Sequence, residues 1–168
     1  NFEIHFYTQE FKVFIMKIKM ITTLKFPYIT GAPIRVLKEV EYLSRKNYDL
    51  KVITTDFTSQ DKEIFGIPII RTRNLIKIKK ELKQADIVHA HNLEGAMIAN
   101  MCGLKYLFDV HGFMHFEYPH LIQKNGLLMK SLRTKPMLSA ALKLIKHSFD
   151  KAVKNSICLV PCADSMDN

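Results

Sequence analysis

Apolar positions recur along the chain in two alternating periods. "KIKMITT" (17–23) is short and mostly apolar and predicts a strand. "LKFPYITGAP" (24–33) holds two prolines and a glycine and predicts a loop. Over 34–47, Ile34, Leu37, Val40 and Leu43 recur every three residues, which predicts a helix with those four on its inner face. Pro33 suits the first turn of that helix, where a missing N–H costs nothing. Strands are predicted at 48–55 and, after Gly66, at 67–72. A helix follows over 75–85 with Leu75, Ile78 and Leu82 inward. "DIVHAH" (86–91) is a strand, and Asn92 is placed to cap a helix over 93–103. "KYLFDVHG" (105–112) is a strand, a long and mostly helical stretch runs to about Asn155, and "SICLVPC" (156–162) is a last strand.

Short apolar strands alternating with helices predict an α/β fold: a doubly wound, mostly parallel sheet with helices on both faces. Its strands read as apolar on both sides. Such sheets bind ligands at the carboxyl ends of their strands. Thr22, Thr23, His91, His111 and Asp164 all fall at or just past predicted strand ends.

The chain of 168 residues fits one domain, with 48% hydrophobic and 24% charged residues. No apolar run approaches the roughly 20 residues of a membrane-spanning helix. The chain opens on Asn1, and Met16 begins a stretch that reads as a natural start. Residues 1–15 are then an N-terminal extension of uncertain kind: an extra strand or, as preferred here, upstream sequence. They lack the basic start and small-residue cleavage site of a signal peptide. Cys102, Cys158 and Cys162 form no metal-type pairing, and reduced thiols suit a cytoplasmic protein.

The formal net charge is +9, unevenly spread. From Ile122 to Asn155, eight Lys or Arg face one acid, Asp150, with leucines between them. This stretch is either a peripheral anchor on an anionic membrane or a core helix with a solvated basic face. The stretch Leu127 to Lys135 is the candidate for insertion. No nucleic-acid motif accompanies the charge, so no nucleic-acid partner is expected.

Candidate chemistry lies at the strand ends. Gly31-Ala32-Pro33 precedes a helix N-terminus, where backbone can approach an anion, but it is not a dinucleotide fingerprint. His89 and His91 share a strand face. That admits a metal, although one histidine bonded in the core and one lining a pocket is the preferred reading. His111, His115, Glu117 and His120 form a second cluster without a zinc motif. No metal and no cofactor is expected. Asp109 and His111 also share a face, and an Asp can orient a His by holding one ring nitrogen. No GxSxG and no Asp-x-Asp occurs.

Taken in order, "MKIKMITTLKFPYITGAPIRVLKEVEYLSRKNYDLKVITT", "ADIVHAHN", "FDVHG" and "KAVKNSICLVPCADSM" resemble the N-terminal domain of retaining, GT-B fold glycosyltransferases of the family 4 type. The resemblance runs from Met16 to about Met166 and rests on order and spacing, not on one motif. It implies a Rossmann-like, acceptor-side domain over 16–168, with the C-terminal donor-binding domain absent from this chain. It implies transfer of a sugar from a nucleotide diphosphate sugar to a carbohydrate or lipid-linked acceptor hydroxyl, with retention and without a cofactor. His111 would be the catalytic residue, hydrogen-bonding the donor sugar. Gly31 and Ala32 would lie against the diphosphate or acceptor, His91 and Asn92 on the acceptor side, and Gly112 beside His111.

Two departures stand out. Gly31-Ala32 replaces the two adjacent glycines of many members. The family's pair of glutamates with seven residues between them has no counterpart here. The chain is therefore expected to be an inactive half that needs its C-terminal domain or a partner subunit. It would be cytoplasmic, peripheral on the inner face of the membrane. The rival readings are a non-catalytic subunit that binds acceptor or membrane and recruits a donor-binding protein, and a basic nucleic-acid module.

Overall fold

The computed structural model of the chain describes residues 15–28, 31–110 and 135–161. The strands are β1 (Lys17–Thr22), β2 (Asp49–Thr54), β3 (Glu63–Ile64), β4 (Ile67–Arg71), β5 (Ile87–His91), β6 (Tyr106–Val110) and β7 (Ser156–Pro161). The helices are α1 (Ala32–Ser44), α2 (Leu75–Leu82), α3 (Asn92–Met101) and α4 (Lys135–Asn155). Strand order in the sheet is β3-β4-β2-β1-β5-β6-β7. The pairings among β4, β2, β1, β5, β6 and β7 are all parallel. The fold is the doubly wound α/β arrangement that the alternating periods predict.

Side-chain alternation along each strand builds the two layers. Ile18, Met20, Leu50, Val52 and Ile69 pack with Val36 and Val40 of α1. Ile21, Ile53, Val88, Ala90, Tyr106 and Phe108 pack on the other face, with Ile78 and Leu82 of α2, Leu93, Ala96 and Ala99 of α3, and Ala152 of α4. Each Val, Leu, Ile, Met or Phe among them contributes about 1.5–3 kcal/mol when fully buried. The Tyr106 hydroxyl donates to the Ala152 carbonyl, and burial pushes its pKa up to about 12.

Several elements differ from the sequence reading. Ile34 and Leu75 were expected inward but are 39% and 42% exposed. Each sits in the first turn of its helix, where the axis has not yet closed on the sheet. Val36 takes the inner position in α1 instead. The strand β3 has no counterpart in the predicted pattern. It pairs antiparallel with β4 across Phe65 and Gly66, at φ 51° and 74°. Two successive left-handed residues make the tight turn that suits a hairpin. Asn74 caps α2 by accepting from the N–H groups of Ile76 and Lys77.

The chain order places the reversal of winding between β1 and β5. From β1 the chain crosses through α1 to β2 on one side, and from β5 through α3 to β6 on the other. A crevice at the carboxyl ends of these two strands is where this fold class keeps its ligands.

No helix among the described residues is long and apolar enough to cross a membrane. In α4, Ile145, Phe149 and Val153 pack against the core, while Lys143, Lys146, Lys151 and Lys154 are exposed. This part of the basic segment has an apolar face on the domain and a solvated basic face. The stretch 127–134 lies outside the described residues.

Candidate functional site

Two short pieces meet at the carboxyl ends of β1 and β5, Thr23 after β1 and Asn92 after β5. Gly31 ends the loop after β1 with φ 64°, in the left-handed region, and its carbonyl accepts from the N–H of Ile34. A side chain there would be strained, so glycine suits the position. Gly31 is exposed and Ala32, the first residue of α1, is half-buried. Asn92 begins α3 with φ 60°. Its Oδ1 accepts from the Gly95 N–H at 3.1 Å, but the N-cap of α3 is His91, and Asn92, expected as the cap, is the first residue of the helix. Its Nδ2 donates to Thr23 Oγ1 at 2.9 Å. One side chain thus ties the start of α3 to the end of β1. Gly95 allows this approach: a Cβ there would stand 3.0 Å from the Ile21 carbonyl oxygen.

The loop after β1 is held from the far side. Arg71 donates through Nη2 to the Phe26 carbonyl and through Nη1 to the Asp56 carbonyl, each at 2.9 Å. Asp56 Oδ2 accepts from the Phe26 N–H. Burial works to raise the Asp56 pKa, but bonds from Phe26 and Thr58 outweigh it, and the pKa is lowered.

A second set of polar groups lies under α1. The strands were read as apolar on both faces, and for β5 and β6 that is wrong. His89 and His91 in β5 and Asp109 in β6 turn toward Arg35 and Glu39 of α1. His91 Nδ1 is 3.1 Å from Asp109 Oδ2, and His91 Nε2 is 3.5 Å from Glu39 Oε2. Arg35 reaches Asp109 Oδ1 through Nη2 at 3.1 Å and Glu39 Oε1 through Nε at 3.3 Å. His89 Nδ1 is 3.7 Å from Glu39 Oε2, and the two imidazoles lie tilted by 37° with centroids 4.2 Å apart. Burial raises the Glu39 pKa, and the Asp109 charge adds to this against the opposing pull of His91 and Arg35.

A cavity of about 430 Å³ adjoins this cluster. Ile87, His89 and Leu107 form its floor on the sheet, and Arg35, Glu39 and Tyr42 form its wall on α1.

The sequence-predicted residues divide accordingly. Asn92 stands at the winding reversal, and Gly31 and Ala32 open the helix that follows β1. His91, expected on the acceptor side, has a fully buried side chain held by Asp109 and Glu39. The histidine that reaches a cavity is His89. That is the preferred division of the pair, one bonded in the core and one lining a pocket. Asp109 does orient a histidine, but it is His91 on the neighbouring strand. His111 and Gly112 lie outside the described residues, as do His115, Glu117, His120 and Asp164. Arg35 and Glu39 were missed. Their spacing of four residues on a helix placed them on one face, but only the tertiary fold puts that face over β5.

No protein-family model matches the chain, and no curated protein matches it.

Proposed function

We propose that this chain is the acceptor-side, Rossmann-like domain of a retaining GT-B glycosyltransferase, which moves a sugar from a nucleotide diphosphate sugar to an acceptor hydroxyl. The observation that carries the reading is the junction of Asn92 and Thr23. A non-glycine residue in the left-handed region is uncommon, and such residues cluster at functional sites. This one sits at the winding reversal, bonded across it at 2.9 Å. The Gly31 turn that opens α1 follows the same strand, β1. Helix N-termini there suit a diphosphate, because their N–H groups point outward and carry partial positive charge.

In this reading Gly31 and Ala32 admit the donor diphosphate or the acceptor to the start of α1. Asn92 sets the acceptor side of the crevice. His91 acts beneath it, holding β5 and β6 in register through Asp109. His111 and Gly112, which follow β6 directly in sequence, keep the donor-sugar role that the family resemblance implies. The four exposed lysines of α4 support docking on an anionic leaflet, where lipid-linked acceptors reside.

Saturation-transfer NMR with a panel of uridine and guanosine diphosphate sugars and carbohydrate acceptors tests the proposal. Signal transfer to at least one member, lost in Asn92→Ala, is the expected result. Absence of transfer to every member overturns it.

A further inference from the structure

The groups under α1 converge in a way that sugar transfer does not use. Asp109 Oδ2 lies 3.1 Å from His91 Nδ1. With the proton on Nδ1 shared with that carboxylate, the lone pair of His91 is on Nε2. Nε2 faces Glu39 Oε2 at 3.5 Å, and His89 Nδ1 faces the same oxygen at 3.7 Å. Either imidazole N–H groups that donate to Glu39 Oε2 or a metal ion between the three groups would satisfy this convergence.

Geometry favours the metal. Among the described residues, one ligand atom from each of Glu39, His89, His91 and Asp109 lies within 4.8 Å of the others. Zinc bonds of about 2.0–2.1 Å in a tetrahedron set ligand atoms roughly 3.4 Å apart, close to the 3.5 Å and 3.7 Å found here. The surroundings are those of a metal site. A carboxylate on the far nitrogen of a ligating histidine fixes its tautomer and raises its basicity. Arg35 holds the other oxygen of each carboxylate, Glu39 Oε1 and Asp109 Oδ1, and so aims Glu39 Oε2 at the histidines.

We propose that Glu39, His89 and His91 form a binding site for a divalent transition-metal ion, with Asp109 and Arg35 as positioning residues. Two imidazoles and one carboxylate suit zinc, iron, nickel or copper rather than magnesium or calcium. His89 and Glu39 also line the cavity through their apolar atoms. Arg35 offsets one of the two carboxylate charges. A dication then leaves one positive charge in excess, which a water-derived hydroxide on the ion balances. The site is separate from the Asn92–Thr23 junction and does not depend on the glycosyltransferase reading.

The test is titration of the chelator-treated full chain with Zn²⁺ by calorimetry, and with Co²⁺ by visible absorption. One equivalent should bind. His89→Gln and Glu39→Gln, made separately and checked by circular dichroism to be folded, should each weaken binding at least about tenfold, and Asp109→Asn by about 10–100-fold. Absence of stoichiometric binding to the parent chain overturns the proposal. So does binding that persists unchanged in His89→Gln and Glu39→Gln, because the ion would then sit on other histidines or cysteines of the chain.

Discussion

His91 Nδ1 stands 3.1 Å from the carboxylate of Asp109, across two parallel strands whose backbones pair at those same two residues. The contact joins β5 to β6 at their carboxyl ends. Arg35 adds α1 to the pair through the other Asp109 oxygen. Asp109 is fully buried, so its charge depends on these partners. Removing one member of a buried ion pair costs about 3–5 kcal/mol. Arg35 keeps some contact with water, so Asp109→Ala should cost roughly 3 kcal/mol, and Asp109→Asn, which still accepts from His91, less. Urea unfolding of the three chains checks this. A cost below about 1 kcal/mol for the alanine variant would show that the network is incidental.

The Asn92 junction makes a graded prediction. Asn92→Gly keeps the left-handed backbone and loses two side-chain hydrogen bonds, a cost of about 1–3 kcal/mol. Asn92→Ala loses the same bonds and adds left-handed strain of about 1 kcal/mol. Alanine should therefore be the worse of the two. Gly95→Ala puts a methyl 3.0 Å from the Ile21 carbonyl oxygen, a backbone atom that cannot swing away. It should cost roughly 1–3 kcal/mol by forcing α3 off β1. Thermal melts that rank alanine and glycine equally at position 92 would remove the strain argument.

Glu39 predicts a pH dependence. Burial raises its pKa above the ordinary 4.5. As pH rises past that value the unfolded chain releases this proton first, so the folded state loses stability until the folded pKa is passed. Glu39→Gln removes that loss. The stability difference, variant minus parent, should rise in favour of the variant from about pH 4 upward and then level. Denaturant midpoints of metal-free protein across that range provide the measurement. A difference that falls with pH means that the buried carboxylate is stabilised as an anion.

Four exposed lysines on one helix predict salt-sensitive binding to anionic vesicles. Each contributes about 1 kcal/mol near such a surface, and salt screens them. Lys146→Glu with Lys151→Glu should reduce co-sedimentation with anionic vesicles and leave the fold intact. Equal sedimentation with neutral and anionic vesicles would leave α4 as a core helix with a solvated face.

Much of this fold was legible because local periodicity and tertiary packing agree. The runs at 17–23, 48–55 and 86–91 became β1, β2 and β5, each within a residue or two of its predicted ends. Asn92 was recognisable as a residue of the helix start because its bond to Gly95 is local, although the N-cap falls one residue earlier, at His91. The Phe65-Gly66 hairpin was not, since two-residue strands carry no period. The polar cluster was hidden for a different reason. Arg35 and Glu39, His89 and His91, and Asp109 come from three elements far apart in sequence. Alternation in "IVHAH" did place both histidines on one face. Nothing in the order of residues said that α1 covers that face, or that Asp109 would reach His91 on the next strand. That partnership comes from the parallel register of β5 and β6.

Amide shift mapping tests the central claim most directly, because it locates a ligand rather than merely detecting one. The chain, labelled with nitrogen-15, is titrated with the nucleotide sugar or acceptor that gives the strongest saturation transfer. The account predicts that shifts concentrate at Thr22, Thr23, Gly31 and Asn92 through Gly95, around the winding reversal between β1 and β5. Shifts confined to the far ends of these strands, near Lys17 and Ile87, would contradict it.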